Sequence, residues 1–320
     1  MDEPEKTLFN PQKDFRLLSS ENASLLDKEA ADGWGLSSFA LVEAAGRLCS
    51  ASLESVFKNS GINSGENILV CAGSGNNAAD ALVMLREFLN RDRLISGASK
   101  NGKSCNAIVL LSRFSLPGEN TPRDEAVKAL QAMGVPVAAW NGKEQTAELF
   151  RNAQLIIDGI AGTGIKKPLE GIPLEMLNAV NEERSIRQCR VVSIDIPSGA
   201  HDAWKPGMPV VHADFTLAVQ PLKIVLYSPA LRPFCGTIIP VTGIFPGALL
   251  QKYGGSELLV WEKISLCIPP VAHDAYKYTR GVCEIHAGKI GTSGAARLAA
   301  AGASAVGAGL IRLVLDDELY

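Results

Sequence analysis

At 320 residues the chain is long for one small domain, and about two domains is the expectation. It is 47% hydrophobic and 20% charged, with 30 glycines and 6% aromatics, ample apolar material for the core of an α/β protein. A formal net charge of −3 without a basic cluster excludes a nucleic-acid surface.

The chain opens on Met1-Asp2-Glu3-Pro4-Glu5-Lys6, acidic and with no apolar run behind it, so it does not read as a secretory signal. Residues 1–20 form a polar lead-in. From Ser20 to Lys58 the spacing predicts helix. Leu25, Leu26, Ala30 and Ala31 precede a break at Gly33-Trp34-Gly35, and Phe39, Leu41, Val42, Ala45 and Leu48 follow it. Short apolar runs then predict strands over 67–72, 107–111, 135–139, 155–160, 190–195, 214–219 and 237–241. Helical patterns separate the first five, at 79–90, 122–133, 143–152 and 173–183, and 91–106 reads as a surface loop. That alternation predicts a parallel sheet covered on both faces.

Residues 246–275, with Gly254-Gly255 and Pro269-Pro270, lose periodicity as a linker does. The boundaries expected are a first domain at 1–250, a linker at 251–272 and a further segment at 273–320. That segment restarts with a strand at 282–286, an Ala-rich helix at 293–307 and a strand at 310–315, one βαβ-like unit that cannot close a sheet alone. Residues after about Pro270 are therefore expected to be loosely held and dispensable for the first domain. The run 298–310 falls short of the about 20 residues of a membrane span. Cys49, Cys71, Cys105, Cys189, Cys235, Cys267 and Cys283 form no CxxC pair and are odd in number, which suits free thiols in a reducing cytoplasm.

Three strand ends finish in loops that carry chemistry. Gly73-Ser74-Gly75-Asn76-Asn77-Ala78-Ala79-Asp80 opens a helix and offers backbone N–H groups to an anion. It matches G-x-G-x-x-A at Gly73, Gly75 and Ala78, but the next strand ends at Ser112-Arg113 without the ribose-binding acid of a dehydrogenase. Asp158-Gly159-Ile160-Ala161-Gly162-Thr163-Gly164 follows a buried-looking strand, with Lys166 and Lys167 adding positive charge suited to a phosphate. Asp195-Ile196-Pro197-Ser198-Gly199 places a carboxylate at a strand tip, where it can act as an acid/base. Taken singly, each is as well explained by a tight turn or a helix cap. Three together at the carboxyl edge of one sheet indicate a site, and Asn77, Asp158, Asp195 and Ser198 should converge on one pocket there.

At these residues the sequence resembles the NAD(P)H-hydrate epimerase family. The matching segments are Gly75 to Asp80, Asp158 to Gly164 with Pro168-Leu169-Glu170-Gly171, Asp195 to Gly199, and the helical Leu41-Val42-Glu43-Ala44-Ala45-Gly46. The resemblance implies a Rossmann-like three-layer α/β domain and interconversion of the R and S forms of hydrated NADH and NADPH at C6 of the reduced nicotinamide. It implies contacts to the hydrated nucleotide from Asn76, Asn77, Ala78, Ala79, Asp80, Gly162, Thr163, Gly164, Ile165, Lys166, Lys167, Pro168 and Asp195. It also implies a potassium ion on Asn77, Asp158 and Ser198, with Asp195 as the catalytic acid/base. Oxygen donors of these types suit a hard, weakly held cation. A small-molecule substrate is the partner expected, neither nucleic acid nor membrane, and a homodimer is left open.

Ala78, Ala79 and Ala81 stand where the family has glycine, which is harmless if those residues are helical and disruptive if any needs positive φ. Tyr276 to Gly281 and Ser293 to Arg297 resemble the start of the ADP/ATP-dependent NAD(P)H-hydrate dehydratase. This is read as an incomplete ribokinase-like βαβ fragment without activity. The rival reading is a non-catalytic Rossmann-like scaffold or dimerisation domain, as in an enhancer of mRNA decapping that shares the fold. The four polar residues Asn77, Asp158, Asp195 and Ser198 argue against it.

Overall fold

The short, almost continuously buried apolar runs form strands and the intervening amphipathic stretches form helices in a computed structural model. It describes residues 15–60, 67–96, 106–116, 118–187, 189–259, 264–265, 267–268, 270–289 and 291–315. Most of the expected lead-in, residues 97–105 of the expected loop, Cys105 and Pro269 lie outside the described residues. The chain divides into two units, Met1–Leu258 and Leu259–Tyr320.

The first unit runs β1 (Arg16–Leu18), α1 (Ser20–Trp34), α2 (Ser38–Ser60), β2 (Asn67–Ala72), α3 (Asn76–Ser96), β3 (Asn106–Leu111), α4 (Pro122–Ala132), β4 (Val137–Ala139) and α5 (Lys143–Asn152). It continues through β5 (Leu155–Gly159), α6 (Gly171–Arg187), β6 (Arg190–Ile194), β7 (Phe215–Val219), β8 (Leu222–Lys223), β9 (Thr237–Val241), α7 (Gly247–Tyr253) and β10 (Ser256–Glu257). Seven strands pair in parallel in the order β4-β3-β2-β5-β6-β7-β9. The period-two alternation splits them cleanly. Ile68, Val70, Val109, Leu155, Ile157 and Val192 face a core with α2, α3 and α4. Leu69, Cys71, Leu110, Ile156 and Val191 face a second core with α5 and α6. The result is the three-layer α/β architecture expected, because a sheet buried on both faces needs a helical layer on each.

Helix ends follow local chemistry. The Ser19 hydroxyl accepts the Asn22 N–H at the start of α1, and Gly35 ends it in the left-handed region. α4 opens on a capping box between Thr121 and Asp124 with Pro122 in its first turn.

Residues 91–96, expected as loop, continue α3, Asn106 already begins β3, and two further stretches differ from the sequence reading. The lead-in ends in β1, which is preceded by buried Phe15, ends on buried Leu18 and pairs parallel with β8 and antiparallel with β10. The linker-like stretch supplies α7, which buries Leu249 and Leu250 beside Leu26 and Ala30 of α1. The Leu258 N–H donates to the Phe15 carbonyl, so the first unit reaches past residue 250. Strands of two or three residues and a helix of seven are too short to show a period.

In the second unit β11 (Val282–His286) and β12 (Leu310–Val314) pair in parallel over five residues, joined by α8 (Ser293–Ala305). Among the described residues no helix is long and apolar enough to cross a membrane.

Candidate active site at the carboxyl edge of the sheet

A cavity of about 560 Å³ opens where β2, β5, β6 and β7 end, within the range of small-molecule sites. Its floor is the three strand-end loops. One wall is α1, whose Ser20, Ala23, Ser24, Asp27 and Ala31 fall on a single helical stripe, and α2 adds Ser38, Leu41, Val42 and Ala45.

Two loops meet because glycine lets them. The Gly73 N–H donates to the Gly159 carbonyl at 3.0 Å, and a Cβ on Gly73 would lie 1.8 Å from the Ile160 oxygen. A Cβ on Gly162 would lie 2.9 Å from that of Asn77. Ala78, Ala79 and Ala81 lie in the first turns of α3, fully buried. Among the described residues the positive-φ non-glycine is Asp195 alone, so the alanines need no glycine conformation.

Beneath the floor, Asp158 is fully buried and each of its oxygens accepts twice. Oδ1 accepts the Ser198 hydroxyl at 2.5 Å and the Ile160 N–H at 3.2 Å. Oδ2 accepts the Ser193 hydroxyl at 2.7 Å and the Ser198 N–H at 2.9 Å. Burial pushes this carboxyl up, and those donors pull the other way. Ser198 Oγ in turn accepts the Ala161 N–H at 2.8 Å, while Asn77 Nδ2 donates to the Ala161 carbonyl at 3.1 Å. One network therefore ties all three loops together.

Asp195 sits at φ 65°, a strained conformation for a residue with a side chain, held by its N–H on the Leu217 carbonyl at 2.8 Å. Its Oδ1 receives Lys223 Nζ at 2.6 Å, and Lys223 also donates to the Val219 carbonyl at 3.0 Å. Burial raises the Asp195 carboxyl, with the lysine charge opposing. Asp80, in the first turns of α3, is pushed well up by burial and by the Asp195 charge. Asp27 is open to the cavity, but the protein around it pushes its carboxyl up to about 6 against the attraction of Lys223. The charged residues of the lining are therefore three carboxyls and one lysine.

Of the residues expected from sequence, Asn76, Asn77, Asp80, Gly162, Thr163, Gly164, Ile165 and Asp195 line the cavity. Ala78 and Ala79 lie in the core behind it, and Asp158 and Ser198 lie beneath the floor rather than on the surface. Lys166, Lys167 and Pro168 are exposed and off the lining; the positive charge they were expected to bring comes from Lys223. Sequence reasoning missed Lys223, Asp27 and Gln220. Gln220 Oε1 accepts the N–H groups of Gly243, Ile244 and Phe245 and so holds that wall in place. The available signal was a lone Gln and a lone Lys in the apolar run from Leu217 to Leu226.

Asn77 Oδ1 is buried without a hydrogen-bond partner, which fits a cation held there, whereas both oxygens of Asp158 are already filled by internal donors. Among the described residues no group of three His, Cys, Asp or Glu forms a transition-metal cluster.

Residues 38–225 match the family model described as YjeF-related protein N-terminus. The bifunctional NAD(P)H-hydrate repair enzyme Nnr of Coxiella burnetii is 26% identical over 255 residues, 79% of this chain and 48% of that protein. The NAD(P)H-hydrate epimerase of Rhodopirellula baltica is 24% identical over 231 residues, 71% of this chain and 84% of that protein. The crystal structure of yeast ynu0 shares the fold with a TM-score of 0.61 at 21% identity, over 77% of this chain and 96% of that one. The chain spans about half the length of the bifunctional relatives it matches. With a family model matched over more than half its residues, the chain belongs to the YjeF-related protein N-terminus family.

Proposed function

We propose that this protein is an isomerase that interconverts the R and S forms of hydrated NADH and NADPH at C6 of the nicotinamide ring. The reading rests on one observation above the rest. A strained Asp195 is locked to Lys223 in a cavity whose floor is the three motif loops. Buried ion pairs cost stability unless well paired, and a scaffold or dimerisation domain has no use for one facing a cavity. Relatives named NAD(P)H-hydrate epimerase and NAD(P)H-hydrate repair enzyme support the same substrate.

Changing the configuration at C6 requires the C–O bond to break and re-form. Asp195, kept in place by Lys223, exchanges a proton with the C6 hydroxyl as it leaves or returns, a contribution of about 10² to 10⁴ in rate. The backbone of residues 73–77 and 160–165 orients the dinucleotide. A potassium ion, when bound, supplies a fixed positive charge beside the site. Asn77 Oδ1 would hold it directly, with Ser198 and the Asp158 charge next to it through Ala161. Buried Cys49, Cys71, Cys189 and Cys235 are free, which suits a reducing cytoplasm.

The test supplies R-form hydrate of NADPH with an excess of S-specific dehydratase and times NADPH recovery with and without this protein. Faster recovery is expected; unchanged recovery would overturn the assignment.

A further inference from the structure

An epimerisation that loses and regains a hydroxyl must deliver it to the face of the ring opposite the one it left. A single acid/base on one side cannot serve both faces unless the ring turns over in the site. We infer that Asp27 of α1 is a second acid/base of the reaction, acting from the helical wall while Asp195 acts from the sheet edge; this rests on the epimerase reading above.

The placement carries the inference. Asp27 is on the cavity-facing stripe of α1 with Ser20, Ala23, Ser24 and Ala31, so its carboxyl opens into the space that the loops enclose. α1 is pinned there from two sides. The Ser20 N–H and hydroxyl donate to Asp202 at 2.8 and 2.9 Å, and Lys252 of α7 bonds Glu29 at 2.6 Å. The charged groups facing Asp27 are Lys223 from β8, Asp195 from the end of β6 and Asp80 from α3. A carboxyl ionising near 6 populates both forms near neutrality, as a group that must give and take a proton should. Asp80 is less suited, being half-covered and pushed well up by burial.

The step balances. Protonated Asp27 gives its proton to the C6 hydroxyl, the C6–O bond breaks, and water leaves as the N1 lone pair forms an N1=C6 iminium cation. A solvent water then adds to C6 from the other face and loses a proton to ionised Asp195. The other epimer reacts by the same path reversed. Proton exchange with solvent, beside the Lys223 ammonium, restores the two carboxyls. The net negative lining suits the cationic ring between the two steps.

The experiment incubates each separated epimer of NADPH hydrate with the full chain in ¹⁸O-water, follows inversion by chromatographic separation of the epimers, and reads the label in each by mass spectrometry. Wild type should invert and label both. Asp27→Asn should lose inversion by about 10² to 10⁴. It should still wash label into one epimer without inverting it, and Asp195→Asn should do so for the other; Asp27→Glu should restore part of the inversion. Asp27→Ser carries the same readout if the amide variant does not fold. Inversion by Asp27→Asn at the wild-type rate, or loss of exchange from both epimers alike, overturns the role of Asp27. A wild type that inverts neither epimer overturns the epimerase reading instead.

Discussion

Lys223 Nζ lies 2.6 Å from Asp195 Oδ1, with the two side chains only 6% and 11% exposed. Lysine comes from a two-residue strand paired with β1 and aspartate from the tip of β6, so the pair joins elements 28 residues apart. Replacing Lys223 by Met leaves Asp195 buried without its counter-charge. The expected loss is about 3–5 kcal/mol at pH 8 and smaller at pH 5, because burial raises the Asp195 carboxyl and a falling pH moves it toward its uncharged form. Urea denaturation at the two pH values measures it, and epimerisation at pH 8 should fall by at least about 10².

Asp27 sets a pH dependence of opposite sign to an ordinary ion pair. An aspartate ionises near 3.8 when unfolded and this one near 6 when folded. Between those values the native state binds the extra proton, so its contribution is favourable below about 4 and is lost as pH rises through 6. Asp27→Asn should therefore match wild type in melting temperature at pH 4 and gain on it by pH 7. A gap that shrinks as pH rises would contradict the assignment.

Asp158→Asn should destabilise the first unit. The amide would present N–H groups to donors from Ser193 or Ser198 that now meet an oxygen, leaving buried donors unpaired at about 1–3 kcal/mol each. Calorimetry should show the loss, and because Ser198 supports Ala161, substrate binding should weaken with it.

Gly73→Ala should be worse than its size suggests. The new methyl would meet the Ile160 carbonyl, backbone that cannot rotate away, and overpacking of this kind costs about 1–3 kcal/mol. The two loops would separate, so KM should rise more than stability falls. Gly75→Ala, with no protein atom near the position, is the control expected to leave stability unchanged.

Potassium dependence is checked by replacing the ion with tetramethylammonium. Activity should drop in wild type. Asn77→Ala, which removes the one unpartnered buried oxygen of the floor, should be low in both salts.

The amino-acid sequence by itself determined the seven parallel strands, since apolar runs of five or six residues between amphipathic helices have one stable arrangement, a sheet covered on both faces. It also determined the three loops, because glycines beside Asn77, Asp158 and Asp195 at strand ends are local signals. It could not show that Asp27, Lys223 and Gln220 belong to the same site. Lys223 and Gln220 are lone polar residues in an apolar run and Asp27 is one of several in a helix, and they reach the site only through pairings 23 to 28 residues away or the packing of α1 and α7 over the edge. Nor could it show that Lys166 and Lys167 turn outward while Lys223 turns in. That choice depends on which backbone is covered, and only the assembled sheet covers it.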